Sequence, residues 1–418
     1  MVLLEDMIEA YYDCRRKKRN TASAVAFEVD YEVKLLGLVR RINDRSYTPG
    51  KSICFVVRYP RYREVFAAAF EDRIPHHYIY NRLNPLFENI FGDRIFNCRD
   101  NKGQLYGVKM LASDIKSCSE NYTQDCFTVR LDIKAFFMSI GKKMLAEMVD
   151  AFIVENYVGD DKEDLRFLCR VVIMHNPEKN CILRSPSEFW KHLPKEKSLF
   201  TNGGGRGIAI GNLFAQLFAN FLLWFLENVF KESDIAFHGR YVDDIYAIDK
   251  SKEKLLALVP KIRARLSELG LRLNEKKFYL QHYAKGIQFT GAIVKPGRIY
   301  PLRRNIRKFK ESIRKLNQCR TADEVSQVLP AVNSYLGLLV HYNTYVIRKR
   351  ELLKLDKRVF EFVYIKGHYE SVAMKRKYTK RYEVIQRIKE EDKNYKIKNH
   401  RNHTTTTFDY HVKRKGEG

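Results

Sequence analysis

The sequence predicts an α+β protein with a small antiparallel sheet set among helices. The strand signal is cleanest in FTVRLDI (127–133) and GRYVDDIYAID (239–249), which are rich in β-branched and aromatic residues. Segments with helical periodicity occupy the chain between and after these strands. Strands that are separated by helical blocks and flanked by turn residues favour the α+β class.

The N-terminal part of the chain is predicted to form helix, strand and helix in that order. Residues 1–50 carry a helical apolar rhythm that ends at the turn residues TPGK (48–51). The stretch SICFVVRY (52–59) alternates and predicts a strand. The stretch 64–91 predicts a helix that Pro75 interrupts, because proline removes a helical hydrogen bond.

Helices dominate the rest of the chain. A weaker strand signal lies at 285–294, and a strongly basic helical region begins near residue 303. The C-terminal segment is rich in Lys and Arg and contains a Thr run, so it is predicted to be mobile or to become ordered on RNA. Further helical blocks are predicted at 141–175, 211–232 and 251–269.

The composition indicates a folded protein with a polyanionic partner. Of the 418 residues, 45% are hydrophobic, which excludes a mainly disordered chain. The 76 Lys and Arg outnumber the 50 Asp and Glu, and the formal net charge is +26. Such a charge favours phosphate-rich ligands, since counterion release drives their binding. Charge alone leaves nucleic acid and anionic membrane open, and we favour nucleic acid.

Neither a membrane span nor a secreted protein is expected. The longest apolar stretch, 208–230, contains Asn212, Gln216 and Asn220 and lacks a run of about 18 apolar residues, so a buried helix fits better. The N-terminus is already acidic at Glu5 and shows no small-residue cleavage site. The eight cysteines form no CxxC pair, which is typical of free thiols in a reducing cytoplasm.

Two adjacent carboxylates give the strongest chemical signal. Asp243 and Asp244 lie between two apolar strand-like halves, which predicts a hairpin tip. Like charges at such a tip repel each other, and Mg²⁺ would relieve the repulsion because it prefers oxygen ligands. For an isolated pair of aspartates, an exposed acidic turn is the commoner explanation.

A third carboxylate changes this assessment. Asp132 ends the β-branched run TVRLD, so it can meet the hairpin tip in space. Three carboxylates can hold two metal ions roughly 3.5–4 Å apart, the arrangement that activates a 3′-hydroxyl and stabilises a leaving pyrophosphate. The sequence therefore predicts a two-metal site at Asp132, Asp243 and Asp244.

Two further segments fit a nucleotide site but are weak signals alone. The glycines of 203–220 allow the backbone to approach a ligand closely and precede a helix that carries Asn212 and Gln216. The basic segment 58–63 offers arginines that could clamp a triphosphate. The simpler alternatives are a flexible loop with buried polar contacts and an ordinary basic turn.

The order of these segments resembles the conserved blocks of reverse transcriptases. RYRE, LDIKAFFMSI, GIAIGNLFAQ, YVDD, LRLNEKKF and GIQFTGAIV follow one another with that family's spacing, over roughly residues 25–345. The resemblance implies a right-hand polymerase fold with fingers, a palm that carries the small sheet, and a helical thumb. The implied domains are N-terminal helices and fingers (1–125), palm (126–300) with a fingers insertion (about 150–200), thumb (301–365) and basic C-terminal tail (366–418).

Within that family, the chain is most similar to the enzymes of diversity-generating retroelements. Segments 63–77, 98–109 and 132–140 resemble that group's REIFAADFRDRIVHH, CRKGKGTLYGVK and DIKxFFMSI patterns. The segment 210–216 resembles its (I/V/L)GxxxSQ motif, where most reverse transcriptases have QGxxxSP. Ala215 departs from this pattern, since the group usually has Ser there.

The resemblance assigns catalytic roles. Lys277 is the implied proton donor to pyrophosphate, with Lys276 as the alternative register and a solvated charge as the simpler explanation of either. Two Mg²⁺ ions, with Mn²⁺ as a substitute, are the implied cofactors, held by Asp132, Asp243, Asp244 and the Ile133 carbonyl.

The resemblance also assigns residues to the substrates. Phe137 matches the aromatic gate that rejects ribonucleotides, whereas its neighbour Phe136 is expected to be a core residue. The residues implied for dNTP binding are Arg61, Arg63, Phe137, Ile210, Gly211 and Gln216. Those implied for primer and template binding are Tyr241, Gly291, Arg303, Arg304 and Arg307, although a solvated charged helix explains the last three equally well.

The implied function is RNA-directed DNA polymerisation that copies a retroelement's template RNA into cDNA. Ile210 stands where typical members have Gln, so error-prone copying and mutagenic retrohoming are expected. The implied partners are template RNA, the cDNA/RNA duplex, dNTPs and a small basic helical-bundle accessory protein, in a cytoplasmic, bacterial or phage-encoded system. A phage-defence or abortive-infection reverse transcriptase and a noncatalytic RNA-binding scaffold are the alternatives.

Overall fold

The computed structural model describes residues 1–16, 18–59 and 61–379. The chain divides into two units, Met1–Arg298 and Ile299–Gly418. Most of the predicted basic tail, residues 380–418, lies outside the described residues.

Helices and strands of the first unit follow the α+β class that the sequence predicts. Its helices are α1 (Leu4–Arg15), α2 (Ala22–Glu28), α3 (Tyr31–Asn43), α4 (Phe70–Ile90), α5 (Gln104–Cys118), α6 (Phe136–Ser139), α7 (Lys142–Asn156), α8 (Lys162–Met174), α9 (Glu188–Lys191), α10 (Leu213–Leu222), α11 (Leu226–Glu232) and α12 (Lys252–Glu268). Its strands are β1 (Ser52–Val57), β2 (Arg63–Ala67), β3 (Phe127–Asp132), β4 (Cys181–Leu183), β5 (Phe237–Tyr241), β6 (Asp244–Asp249), β7 (Tyr279–His282), β8 (Ile287–Phe289) and β9 (Ala292–Lys295). Short 3₁₀ turns occur at Pro177–Lys179, Lys195–Lys197, Leu199–Thr201, Glu275–Lys277 and Tyr283–Lys285.

A four-stranded antiparallel sheet with the order β5-β6-β3-β7 forms the centre of the first unit. Because side chains alternate along a strand, Val129 and Leu131 of β3 and Ile245 and Ala247 of β6 point to one face and join the main hydrophobic core. The intervening side chains, among them Asp132 and the buried Tyr246, belong to the opposite face. The strands predicted at 127–133 and 239–249 are confirmed; β7 was not predicted.

A second, three-stranded sheet has the order β2-β1-β4. Strand β1 pairs antiparallel with β2 and parallel with β4. The prediction of one helix over 64–91 is wrong, since residues Arg63–Ala67 form strand β2 and α4 begins only at Phe70. Residues 63–67 pair with β1 along their whole length, and Phe66 is fully buried in this strand, so tertiary contacts outweigh the local helical pattern.

Helix α4 continues through both of its prolines. Pro75 and Pro85 lie inside the helix, so the predicted interruption at Pro75 is also wrong. The buried face of α4 includes Ile74, Tyr78 and Leu83, which pack in the main core. Packing of this long face outweighs the loss of a hydrogen bond at each proline.

The other predicted helical blocks are confirmed: 251–269 forms the single helix α12, whereas the other two are divided. The block 141–175 forms α7 and α8, and the block 211–232 forms α10 and α11. The stretch Leu213–Glu232 is long and apolar enough to cross a membrane, but 67% of its most apolar window is buried inside the protein. That burial is typical of a core helix.

The second unit has a hydrophobic core of its own. Its helices are α13 (Arg303–Gln318), α14 (Ala322–Val340), α15 (Tyr345–Leu352) and α16 (Val359–Phe362); its strands are β11 (Val363–Lys366) and β12 (Ser371–Met374), while β10 (Arg298–Pro301) spans the boundary of the two units and a 3₁₀ turn lies at Arg376–Tyr378. A capping box at Thr321 and Glu324 begins α14. Buried Phe309, Ile313 and Leu316 turn one face of α13 to this core. The β11–β12 hairpin was not predicted.

Candidate active site

Two predicted carboxylate residues face each other across neighbouring strands. Asp132, the last residue of β3, is paired in register with Asp244, the first residue of β6. The Asp132 side chain is buried, and Asp243 and Asp244 are half-buried. The Ile133 N–H donates to the Asp243 carbonyl at 3.2 Å, which ties the end of β3 to the hairpin. The structure therefore brings Asp132 close to Asp243 and Asp244, which follow it by 111 and 112 positions in the sequence.

The turn that carries Asp243 is a strained two-residue loop. Tyr241 and Asp244 are the last paired residues of the β5–β6 hairpin, so Val242 and Asp243 form its tip. Val242 has a φ of +56°, in the left-handed region that β-branched residues avoid. Such a conformation costs of order 1–3 kcal/mol and persists only where surrounding contacts enforce it.

The pKa values of Asp243 and Asp244 are raised at this crowded hairpin tip. Burial, together with the negative charges of Asp244 and Asp132, raises the pKa of Asp243 to about 6. Burial also raises the pKa of Asp244, against which the positive charge of Arg130 acts. Carboxylates that resist ionisation together are stabilised by a bound cation.

Asp132 is held by the segment that contains Lys277. The Lys277 ammonium forms an ion pair with Asp132 Oδ2, and Asn274 Nδ2 donates to Oδ1 at 2.9 Å. The backbones are joined as well, because the Asn274 N–H donates to the Asp132 carbonyl at 2.8 Å. Lys276, the alternative proton donor, is exposed. The structure thus brings Lys277, and not Lys276, to the aspartates.

The donor set suits a hard divalent cation. Carboxylate oxygens are the ligands that Mg²⁺ prefers. Among the residues that the structure describes, no three His, Cys, Asp or Glu side chains already converge on one point as ligands. The Lys277 ammonium forms an ion pair with one oxygen of Asp132, so a positive charge already lies beside the carboxylates that would bind the cation. Asp132, Asp243 and Asp244 are the residues that would hold the cation.

The predicted triphosphate-binding arginines lie on or beside strand β2. Arg63 and Arg61 are exposed, and the positive charge of Arg61 opposes the rise in the pKa of Asp244 that burial causes. The neighbouring Glu64 is fully buried. It accepts hydrogen bonds from Trp190 Nε1 (2.8 Å), Ser198 Oγ (2.7 Å) and the Leu199 N–H (2.7 Å). These contacts fix β2, and with it Arg63, to the segment 190–199.

Ile210 and Gly211 lie directly against strand β2. The Phe66 N–H donates to the Ile210 carbonyl at 2.9 Å. Gly211 has a φ of +119°, and a Cβ there would lie 2.8 Å from Val65 Cγ1 and 2.9 Å from the Phe66 carbonyl oxygen. The close approach that this glycine allows is therefore to β2. Ile210 is half-buried and packs against the small core cluster that includes Phe66.

The two adjacent phenylalanines differ in burial. Phe136 is buried in the main core, as expected, whereas Phe137 is half-buried at the edge of that core. Ala135, with a φ of +47°, precedes them and turns the chain. The Phe137 carbonyl accepts from the Ile208 N–H at 2.8 Å, two residues before Ile210.

The other residues predicted to bind dNTP, primer or template belong to several different elements. Gln216 Oε1 accepts from Cys98 Sγ at 2.6 Å, and Tyr241 is half-buried at the end of β5. Gly291 (φ +94°) and Thr290 (φ +38°) form the tip of the β8–β9 hairpin, with both φ values positive as a type I′ turn requires. Arg303, Arg304 and Arg307 are exposed on α13 of the second unit.

Sequence reasoning missed several residues around the hairpin tip. Asn97, Asn220 and Arg240 are buried polar residues, and Asn274 contacts Asp132. The available signal was the presence of Asn220 inside an apolar helix and of Arg240 inside a strand, since buried polar groups require partners.

The family model for "Reverse transcriptase (RNA-dependent DNA polymerase)" matches residues 60–294, which is more than half of the chain. The chain belongs to this family. RNA-dependent DNA polymerisation is the activity that the family's description names, and the helices and small antiparallel sheets of this reverse transcriptase are those of the right-hand polymerase fold.

Other comparisons are more distant. The chain is similar to apo telomerase from Candida tropicalis, with 14% identity, a TM-score of 0.47, and coverage of 75% of this chain and 56% of the telomerase chain. The reverse transcriptase therefore spans little more than half the length of that relative. Comparison with curated protein sequences gave no match.

Proposed function

We propose that this reverse transcriptase copies the template RNA of its own retroelement with low fidelity, as the enzymes of diversity-generating retroelements do. The observation that carries the proposal is Ile210, an apolar residue at the position where typical family members have Gln. Its neighbours support a role at the nucleotide. The Ile210 carbonyl accepts a hydrogen bond from β2, the strand that carries Arg63, and Ile208, two residues earlier, donates a backbone hydrogen bond to Phe137.

The chemistry of the nascent base pair explains why this residue would change fidelity. A Gln amide can donate to and accept from a base pair, whereas an isoleucine side chain has no hydrogen-bonding group. A site that hydrogen-bonds its substrate discriminates strongly against ligands lacking the matching group. With Ile210 this discrimination is lost, so mispairs are rejected less. The resemblance to the enzymes of diversity-generating retroelements implies that the errors are most frequent opposite template adenine.

In the proposed reaction, each side chain has one task. Asp132, Asp243 and Asp244 would hold two Mg²⁺ ions, and this pair would supply activation of the primer 3′-hydroxyl and stabilisation of the departing pyrophosphate. The Lys277 ammonium, which the structure places on Asp132, donates the proton to pyrophosphate. Arg63 and Arg61 bind the triphosphate through charge-assisted hydrogen bonds.

Further substrate contacts complete the proposal. Phe137 excludes the ribose 2′-hydroxyl, and the Gly291 hairpin supports the primer. The thumb, 301–365, contributes Arg303, Arg304 and Arg307 as phosphate contacts that position the duplex without reading its sequence. The partner is a small basic helical-bundle accessory protein that binds both polymerase and RNA.

The decisive experiment compares error spectra of the wild-type enzyme and Ile210→Gln. The RNA that copurifies with the protein serves as template, with dNTPs and Mg²⁺. Ile210→Gln should lower misincorporation, most of all opposite adenine, whereas the conservative Ile210→Val should not. Unchanged spectra in Ile210→Gln would remove the basis of the mutagenic assignment.

The same reactions distinguish the biological alternatives. Products that match the copurified RNA support copying of a retroelement template. Untemplated or protein-linked DNA would instead indicate a defence-type reverse transcriptase. RNA binding without synthesis in the wild-type protein would indicate a scaffold.

A further inference from the structure

A buried polar network lies directly behind the hairpin tip that carries Asp243. Arg240 and Asn220 are 1% and 2% exposed, and Asn97 is 1% exposed. The three residues come from β5, from α10 and from the segment after α4. Burying three polar side chains together costs free energy, because each must recover the hydrogen bonds that it made with water.

The network ends on the strained residue of the turn. The Val242 N–H donates to Asn97 Oδ1 at 2.9 Å, and the Val242 carbonyl accepts from Arg240 Nη1 at 3.3 Å. Both polar groups of the Val242 backbone are thus bonded to buried side chains. This fixes the peptide groups on either side of a residue whose own φ preference is elsewhere.

The three side chains also hold one another. Arg240 Nη2 donates to the Asn220 carbonyl at 3.3 Å and Nη1 lies 3.5 Å from Asn220 Oδ1. Asn220 Nδ2 donates to the Asn97 carbonyl at 2.9 Å. The backbone of the 94–97 segment pairs with β5, because the Phe96 N–H donates to the Arg240 carbonyl at 2.9 Å. Helix α10 and the hairpin are therefore connected through the network.

Arg240 is an unusual component of such a network. Burial lowers its pKa to about 10, so it keeps its charge at neutral pH. The negative charge of Glu227 opposes this lowering. The hydrogen bonds of Arg240 go to the Asn220 side chain and to the carbonyl oxygens of Asn220 and Val242, and among the described residues its Nε has no hydrogen-bond partner. Burying this charge costs free energy, which its hydrogen bonds to the network and to the turn offset in part.

We infer that Asn97, Asn220 and Arg240 are positioning residues that hold Val242 in its left-handed conformation and thereby set the Asp243 carboxylate for catalysis. The inference rests on the proposed role of Asp243. Without the network, the tip relaxes toward an unstrained hairpin and Asp243 moves away from Asp132. A misplacement of about 1 Å at such a site lowers turnover by about 100-fold.

The test uses Asn97, because its side chain touches the turn through one acceptor atom. Asn97→Leu removes that acceptor and should lower kcat by about 10- to 100-fold, with KM for dNTP and Kd for primer–template unchanged. Asn97→Asp keeps the acceptor and should restore most of the activity. Asn43→Leu is the matched control, since it also removes hydrogen bonds of an Asn side chain to a backbone, at Val2.

A second variant separates positioning from a general loss of stability. Val242→Gly removes the conformational strain, because glycine adopts positive φ freely. In that background Asn97→Leu should cost less activity than it does in the wild-type enzyme. Equal fold losses in both backgrounds, or wild-type kcat for Asn97→Leu, would overturn the inference.

Hydrogen exchange of the wild-type enzyme tests the same point without substitutions that risk misfolding. The Val242 amide should be protected, whereas an amide of an open hairpin tip exchanges rapidly. Rapid exchange would overturn the inference. Asp243→Asn distinguishes the two levels of the argument: if it polymerises normally, the proposed carboxylate site is wrong; if it is inactive while Asn97→Leu is fully active, only the positioning network is wrong.

Discussion

Lys277 forms an ion pair with Asp132 Oδ2 inside the candidate active site, while Asn274 donates to the other oxygen of the same carboxylate. The ammonium therefore lies beside the residues proposed to bind the metal ions and the leaving pyrophosphate. A cation in this place can neutralise developing negative charge and donate a proton to it.

Replacing Lys277 should impair the chemical step. Lys277→Met is expected to lower the single-turnover rate of nucleotide addition by about 100-fold, the lower range for loss of a general acid. Lys276→Met, at the adjacent exposed position, should leave the rate unchanged. Rapid-quench measurements at saturating dNTP check both variants. Equal rates for Lys277→Met and the wild type would exclude proton donation by this residue.

Gly211 should not tolerate a side chain. An alanine Cβ would lie 2.8 Å from Val65 Cγ1 and 2.9 Å from the Phe66 carbonyl oxygen, at a φ of +119°. Gly211→Ala is therefore expected to destabilise the enzyme by about 1–3 kcal/mol and to raise KM for dNTP, because it separates Ile210 from β2. Gly205→Ala is the control, since nothing lies within 4 Å of a Cβ there. Denaturant unfolding and steady-state kinetics measure both effects; a stable Gly211→Ala enzyme with normal KM would contradict the expectation.

Glu64 is predicted to hold strand β2 in place. Its Oε2 accepts from Trp190 and Ser198, and its Oε1 accepts from the Leu199 N–H, so Glu64→Gln must place its NH₂ group against a donor. Leaving a buried donor unsatisfied costs about 1–3 kcal/mol. KM for dNTP should rise as well, because Arg63 is the adjacent residue.

The control for Glu64 is a surface carboxylate of the same type. Glu71 forms a partly exposed ion pair with Arg41, and such pairs contribute about 0–1 kcal/mol. Glu71→Gln should therefore leave both the unfolding free energy and KM for dNTP nearly unchanged. If the two variants behaved alike, the hydrogen bonds of Glu64 would not be what fixes β2.

Local pattern was sufficient to predict the strands that carry the aspartates. β-Branched and aromatic residues at 127–132 and 237–249 agree with the pairing they adopt, so pattern and tertiary structure support the same conformation. The segment EVFAAAF differs, because its alanines favour helix while pairing of β2 with β1 and with the Ile210 backbone requires a strand. That pairing is not visible in local sequence.

Partners far apart in sequence explain what could not be predicted at the site. Asn97 reaches Val242 across 145 positions, and Arg240 contacts Asn220 across 20. Sequence periodicity does not predict such contacts, because each of these residues is a single polar position within an apolar segment. Lys277 was identifiable only through family resemblance, and the choice between it and Lys276 required coordinates.

Substitutions of the adjacent residues Phe137 and Phe136 should have different consequences. Phe137 is half-buried beside the Ile208–Ile210 segment and is proposed to exclude the 2′-hydroxyl, so Phe137→Ala should increase incorporation of ribonucleotides relative to deoxynucleotides. Phe136 is 2% exposed in the main core, and Phe136→Ala should cost about 3–5 kcal/mol of stability through the cavity it leaves. Competition assays with dNTP and rNTP, together with denaturant unfolding, separate the two effects. Unchanged sugar selectivity in Phe137→Ala, or altered selectivity in Phe136→Ala at a permissive temperature, would assign the gate to a different residue, because only a side chain that meets the sugar can discriminate at its 2′ position.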